Sequence, residues 1–201
     1  MKKLILTILA LCLMSAFVFA SGKKDRAPVG NWTFDTAETS VDNGGGTFYL
    51  TKSEFYQYVG DIALSWDDST FGDGMLKLDL DFSDPESQND WSEPKMAIDL
   101  PVSFNMRNIG TLSFDFYFDP EARTIGSFKT QLFGTQGVPH ANVDIPEEGE
   151  TMENGFVKTA VVIPFDVKAG FLTDFRLSII GSNTDYIGPV YIDNLKFGPP
   201  Q

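Results

Sequence analysis

Apolar and polar residues alternate along most of this chain, in short runs separated by Gly, Pro, Asn and Asp. Alternation with a period of two is typical of strands that bury one face, whereas an amphipathic helix repeats apolar residues every three or four positions. The pattern therefore predicts an all-β protein. The predicted strands are 75–82, 95–100, 111–118, 127–133, 156–163, 175–180 and 190–197.

The same alternation predicts which face of each strand is buried. In 111–118 the leucine and phenylalanines share one face, while Asp115 and Tyr117 share the other. Segments 156–163 and 175–180 are more continuously apolar, which predicts strands covered on both faces. Because turn-forming residues follow each run, we predict a β-sandwich (jelly roll) of two antiparallel sheets. Residues 40–62 contain an aromatic cluster but no readable pattern.

The first twenty residues have the layout of a signal peptide. Lys2 and Lys3 precede an apolar run from Leu4 to Ala20, which ends in a small residue. We expect cleavage after Ala20, a single β-sandwich domain over 21–201, and a secreted or periplasmic protein; a retained membrane anchor is the alternative. The only cysteine, Cys12, lies in the leader, so the mature chain would have no disulfide.

The net charge of the chain limits the classes of partner that it is expected to bind. The formal net charge is −13, and removal of the leader with its two lysines would make it −15. Such a surface repels phosphate backbones and anionic lipids, so we expect neither nucleic acid nor membrane as a partner. Neutral ligands and cations remain.

Aromatic side chains beside polar groups are the first candidates for ligand binding, because the C–H faces of sugars stack on flat rings. Trp66 lies beside two aspartates and Trp91 lies in a polar loop, so each could stack on a ligand or pack in the protein. Trp32 alternates with Phe34 in the first strand, which predicts a core position for it.

A second candidate is a polar strand face with aromatic residues. Tyr117 lies on the polar face of 111–118, and Lys129, Gln131 and Phe133 share a face of 127–133. If these two strands pair, these side chains and Asp115 beside Tyr117 form one platform; the alternative is an ordinary surface stripe. The neighbouring loops contain further candidate ligand-binding residues, Arg123 and Asn183.

Several motifs resemble one known family. They include Trp32-Thr33-Phe34-Asp35, Gly74-Met75-Leu76-Lys77-Leu78, and the closing run from Gly181-Ser182-Asn183 to Tyr191-Ile192-Asp193-Asn194. Together they look like the family 27 carbohydrate-binding modules, which are mannan-binding β-sandwiches usually attached to mannanases. The resemblance implies non-catalytic binding of β-1,4-mannan or mannooligosaccharides through aromatic side chains. It also implies a possible partner glycoside hydrolase.

The resemblance further implies a structural calcium ion. Asp35, Glu38 and Asp193 are the candidate ligands, because the first and last strands lie side by side in such sandwiches. Hard cations bind several oxygen ligands. From the residues alone, these carboxylates could equally be caps of strand ends.

Catalysis is not expected. A glycosidase on a similar sandwich needs two facing carboxylates, but the glutamates of this chain fall in predicted loops and no Glu-x-Asp-x-x-Glu strand pattern occurs. His140 is the only histidine, which leaves no histidine cluster for zinc. The main alternative to a sugar binder is an envelope structural or adhesive protein that binds another protein; a glycoside hydrolase ranks below both.

Overall fold

The computed structural model describes residues 30–35, 47–51, 62–85, 91–134, 141–166 and 170–201. The predicted signal peptide (1–20), Glu38 and His140 lie outside these residues. Within them, no helix is long and apolar enough to cross a membrane.

Strands make up most of the described chain. In chain order they are β1 (Asn31–Trp32), β2 (Thr47–Thr51), β3 (Ala63–Asp67), β4 (Met75–Asp81), β5 (Trp91–Ser92), β6 (Lys95–Asn105), β7 (Thr111–Phe118), β8 (Ser127–Gly134), β9 (Ala141–Asp144), β10 (Glu150–Thr151), β11 (Val157–Pro164), β12 (Phe171–Ser182) and β13 (Ile187–Gly198). A short 3₁₀ helix, Pro120–Ala122, follows β7. All seven strands predicted from the alternation are present, with β6, β12 and β13 longer than predicted.

The described strands form two antiparallel sheets. Sheet A has the order β10-β11-β7-β13-β4-β3, with β1 paired to β13. Sheet B has the order β2-β6-β12-β8-β9, with β5 paired to β12. The predicted all-β sandwich is therefore confirmed.

The inner faces of the sheets enclose one apolar core. The predicted inward face of β7 is confirmed, since its leucine and phenylalanines are almost fully buried. Trp32 is also fully buried, as predicted, and its ring lies 5.6 Å from that of Phe175 on the opposite sheet.

The prediction of coverage on both faces is wrong for β11, because Ala160 on its outer face is exposed. In sheet A as the described residues form it, the short β10 is the one strand beyond β11. The prediction is correct only in part for β12, whose outer face is buried at Ser178 and Ile180 but exposed at Arg176.

Candidate functional site

The predicted platform of Tyr117 with Lys129, Gln131 and Phe133 is not present. β7 pairs with β11 and β13 in sheet A, whereas β8 pairs with β12 and β9 in sheet B. The segment between β7 and β8 therefore crosses from one sheet to the other instead of forming a hairpin. Tyr117 and the three β8 residues lie on opposite outer faces of the sandwich.

Tyr117 belongs to a small second core on the outer face of sheet A. We call this group the sheet A cluster; its members are Met75, Tyr117 and Tyr191, with Phe71, Met152 and Phe156 packed against them. The Phe71 ring lies 4.9 Å from the Tyr117 ring, and Tyr117 is only 3% exposed. Burial raises the pKa of Tyr117 above its ordinary value. Its ring is covered by protein and presents no open stacking surface.

Trp66 is also engaged within the protein. It lies on β3 at the edge of sheet A, half-buried, and its Nε1 donates a 2.7 Å hydrogen bond to the carbonyl of Phe34. Gly74 makes this approach possible, because a Cβ there would lie 2.2 Å from that carbonyl oxygen and 2.8 Å from Nε1. The geometry favours the packing alternative for Trp66.

Trp91 lies on β5, where its backbone pairs with Ser182 of β12 in sheet B. Its side chain is outside what the structure describes, so its stacking role stays a prediction.

The outer face of sheet B brings together the three β8 candidates, and we call it the sheet B face. The strand register aligns Tyr49, Ala97, Arg176 and Phe133 across β2, β6, β12 and β8. The next register position aligns Lys95, Ser178 and Gln131. Residues in register share one face of a sheet, so these side chains form a continuous surface.

The centre of the sheet B face is a buried polar group. Ser178 donates a 2.5 Å hydrogen bond to Oε1 of Glu93, and Lys95 lies 3.3 Å from the same oxygen. The Lys95 ammonium also lies 4.2 Å from the centroid of the Phe133 ring. Gln131 is 5% exposed beside them. Because the side chains at the centre are buried and bonded to one another, a ligand would contact mainly the residues at the margins of the sheet B face.

One margin of the sheet B face has the composition of a sugar-binding surface. Tyr49 is 41% exposed, and its hydroxyl donates a 3.2 Å hydrogen bond to Asp99. Slight burial and this hydrogen bond raise the pKa of Tyr49, so its hydroxyl stays protonated at neutral pH. Arg176, on the next strand but one, is exposed as well. An exposed aromatic ring that shares a sheet face with a carboxylate acceptor and a guanidinium donor can match the C–H faces and hydroxyls of a sugar.

The prediction from sequence missed Tyr49, Asp99 and Arg176. Tyr49 falls in the segment that had no readable pattern, although Phe48 and Leu50 on either side of it are the alternation of a short strand. In the sequence, Asp99 and Arg176 have the pattern of ordinary charged residues on the solvent-facing side of a strand. Only the strand order brings the three together.

Two of the remaining candidates, Lys129 and Arg123, form ion pairs within the protein, and the third, Asn183, lies in a turn. Lys129 forms a 2.8 Å ion pair with Asp144 on the far margin of the sheet B face. Arg123 forms an ion pair with Glu147, and its guanidinium lies 5.4 Å from the Phe118 ring. Asn183 is exposed in the turn after β12, with a positive φ of 51°. Arg123 therefore connects the segment after β7 to Glu147 and to the core. Asn183 adopts the left-handed backbone conformation that the turn after β12 requires.

Two predicted metal ligands lie within the described residues. Asp193 is 7% exposed, and burial raises its pKa to about 6, with the carboxylates of Asp115, Asp73 and Asp35 adding to the effect. Asp193 accepts hydrogen bonds from the backbone and side-chain nitrogens of Asn194. Asp35 is exposed and accepts a 2.8 Å hydrogen bond from Thr33. In this part of the chain, no three His, Cys, Asp or Glu side chains are grouped closely enough to hold a metal.

Solved structures of similar fold are known. TmCBM27, a carbohydrate-binding module described for specific mannan recognition, has a TM-score of 0.59 and 18% identity, over 85% of this chain and 96% of its own. The fold is that of the carbohydrate-binding modules. CBM27-1 of Caldicellulosiruptor saccharolyticus, solved with mannohexaose, has a TM-score of 0.61 and 17% identity, over 82% and 93%. CBM28, specific for non-crystalline cellulose, has a TM-score of 0.56 and 18% identity, over 86% and 97%.

Sequence comparisons give no match. No model of a protein family matches the chain, and no curated protein matches it either. The likeness to the modules of families 27 and 28 is therefore one of fold.

Proposed function

We propose that this protein is a non-catalytic carbohydrate-binding protein whose ligand lies on the sheet B face. The observation that carries the proposal is the exposed Tyr49 ring on the edge strand β2, with Asp99 on the next strand, β6, and Arg176 on the strand beyond it, β12, all on one face. A sugar ring would stack on Tyr49, donate hydroxyl protons to Asp99 and accept hydrogen bonds from Arg176. Phe133, in the same register row, offers a second aromatic contact.

The ligand we propose is β-1,4-mannan or its oligosaccharides. Two structures of the same fold are of mannan-binding modules, one of them solved with mannohexaose. A third is a module for non-crystalline cellulose, so cellulose is the natural competitor. The predicted leader would place the binding face outside the cytoplasm, where polysaccharides and a partner glycoside hydrolase would be met.

Isothermal titration of the purified protein with mannohexaose, cellohexaose and xylohexaose tests the proposal. We expect heat with mannohexaose and at least about tenfold weaker binding of the other two, a difference of about 1.4 kcal/mol. Equal binding of cellohexaose would keep carbohydrate binding but overturn the mannan assignment. No binding to any of the three would overturn the proposed function and favour the envelope or adhesive alternative.

We also propose a structural calcium ion held by Asp35, Glu38 and Asp193. The support is the buried Asp193 carboxylate in a region with Asp35, Asp73 and Asp115 nearby. Since the described residues contain no complete group of ligands, Glu38 or backbone carbonyls would complete the site. A bound cation would stabilise the pairing of the first and last strands by offsetting the repulsion between these carboxylates.

Thermal unfolding in EDTA and in millimolar CaCl₂ tests this site. We expect calcium to raise the Tm of the unmodified protein, and Asp193→Asn to remove that increase. The control is Asp166→Asn, since Asp166 is an exposed carboxylate after β11. The same Tm in EDTA and in calcium would overturn the calcium proposal without affecting the carbohydrate proposal.

A further inference from the structure

A cavity of about 500 Å³ lies beside the sheet A cluster, between the 68–73 loop and the β10–β11 hairpin. Phe71 and Thr70 line it from the loop, and Met152 with Glu150 lines it from the hairpin. This volume falls within the range of roughly 300–1,000 Å³ typical of small-molecule sites. The cavity lies on the opposite sheet from the proposed carbohydrate site, so the two would act independently.

The walls of the cavity are tied together by hydrogen bonds. Asn154 of the hairpin donates through Nδ2 to the carbonyl of Thr70, at 3.3 Å, which joins the two walls. The Thr70 hydroxyl lies 3.0 Å from the hydroxyl of Tyr191 on sheet A. The Met152 backbone nitrogen donates to the carbonyl of Phe156 at 2.7 Å. These bonds link the loop to the hairpin and to sheet A on the two sides of the cavity.

The charged residues that line the cavity indicate which kind of ligand it could bind. Glu150 and Glu153 contribute two exposed carboxylates, and neither forms an ion pair with any described residue. Lys158, which pairs in register with Glu150, is held by Asp115 at 3.0 Å. Among the described residues that line the cavity, none is Lys or Arg.

Most side-chain donors of the lining are already used. The amide of Asn154 donates to the Thr70 carbonyl, and the Thr70 hydroxyl is shared with Asp67 and Tyr191. What remains is two carboxylate acceptors, the hydroxyl of Thr151 and the apolar side chains of Phe71 and Met152. The complement of this lining is a group that is positively charged and has an apolar body.

We propose that this cavity binds an alkylammonium group, either a primary amine or a quaternary ammonium. Glu150 and Glu153 would neutralise its charge. Phe71 would contact its carbons and contribute a cation–π attraction. The strongly acidic chain, with a net charge of −13, would attract such a cation over a distance as well.

NMR of protein labelled with ¹³C at the methionine methyl groups tests the proposal, with the Met152 signal assigned from Met152→Leu. The probes are choline, n-butylammonium and 3,3-dimethyl-1-butanol, an uncharged analogue of choline. We expect the two cations to shift the Met152 signal in a saturable way and the neutral alcohol to leave it in place. The peptide acetyl-Gly-Lys-Gly-amide tests whether the alkylammonium group can belong to a lysine side chain. A shift with this peptide would show that the site accepts lysine side chains as well as free amines.

Removal of the two carboxylates gives the decisive comparison. Glu150→Gln with Glu153→Gln should weaken choline binding by about tenfold or more, since each carboxylate contributes an attraction at a partly exposed site. The matched control is Glu121→Gln with Glu148→Gln, which removes the same charge at exposed positions outside the cavity lining. Equal losses in both double variants, or equal shifts with the neutral alcohol, would overturn the proposal. Neither result depends on whether the sheet B face binds carbohydrate.

Discussion

The outer faces of the two sheets both carry tyrosines and charged residues, but they use them in opposite ways. On sheet A, Tyr117 and Tyr191 are each 3% exposed under Phe71 and its neighbours. On sheet B, Tyr49 is 41% exposed, with its hydroxyl on Asp99. The difference arises from the loop 68–73 and the β10–β11 hairpin, which cover the tyrosines of sheet A.

This comparison shows that an aromatic residue on a polar strand face has no fixed role. The same residue type completes a second core where a loop packs over it, and becomes a candidate ligand contact where none does. The experiments below separate the two roles by comparing stability with affinity.

Truncation of Tyr117 should have the largest effect. We expect Tyr117→Ala to lower the free energy of unfolding by about 3 kcal/mol, because it removes a buried ring and leaves a cavity under Phe71. Guanidinium denaturation measures this loss from the shift of the midpoint, provided that the m-value is the same for the variant and the unmodified protein. Ile187→Ala is the control; Ile187 is 56% exposed, so its loss should stay within about 0.5 kcal/mol. A loss below about 1 kcal/mol for Tyr117→Ala would mean that the sheet A cluster is not a second core.

Truncation of Tyr49 should show the reverse behaviour. We expect Tyr49→Ala to weaken mannohexaose binding by at least about tenfold, or about 1.4 kcal/mol, because the stacking surface is lost. Its stability should change by less than about 0.5 kcal/mol, since the ring is exposed. Titration and denaturation of the same preparation measure both quantities, again with Ile187→Ala as control. Unchanged affinity would remove Tyr49 from the site.

The fold could be predicted because its signal is local. Alternation within β7 is enough to give its bounds, Thr111–Phe118, and its buried face, since each step along a strand reverses the side chain. The same reasoning predicted Trp32 as a core residue. Strand ends were less well predicted, because β12 continues to Phe171 through a register shift between Leu172 and Asp174.

The candidate site could not be predicted in the same way, because it depends on which strands pair. Consecutive strands in a sandwich either form a hairpin or cross between sheets, and the alternation of β7 and β8 is the same in both cases. The pairing hypothesis for Tyr117 and Gln131 was therefore wrong. Tyr49 and Arg176 are far apart in the sequence and become neighbours only through β6, which lies between their strands.

Trp66 gives a smaller effect, on the sheet A side of the comparison. We expect Trp66→Phe to lower stability by about 1 kcal/mol, because it removes the hydrogen bond to Phe34 and leaves that carbonyl without its donor. Mannohexaose affinity should not change, since Trp66 lies on sheet A. Denaturation and titration of the variant measure the two effects. A loss of affinity at unchanged stability would return Trp66 to the set of ligand contacts.

The smallest effect should be a pH dependence of the stability of the protein, caused by Asp67 in the loop that covers sheet A. Burial raises the pKa of Asp67, but hydrogen bonds from Ser69 and Thr70 outweigh it and lower that pKa to about 2 from an ordinary value of 3.8. Lys77 on β4 is the nearby charge that also favours the ionised carboxylate. Because Thr70 in turn contacts Tyr191, ionised Asp67 helps to hold the loop over the sheet A cluster.

A group whose pKa is lowered by folding stabilises the protein above its ordinary pKa and loses that contribution as the pH falls through the folded value. The contribution of Asp67 should therefore be complete above about pH 4 and disappear toward pH 2, with a size below about 1 kcal/mol after solvent screening. Asp67→Asn should flatten this part of the stability profile, measured by denaturation between pH 2 and 5, whereas Asp166→Asn should not. An identical profile for Asp67→Asn and the unmodified protein would show that Asp67 does not hold the loop. The packing of Phe71, Met152 and Phe156, with the hydrogen bond from Asn154 to Thr70, would then be what keeps sheet A covered.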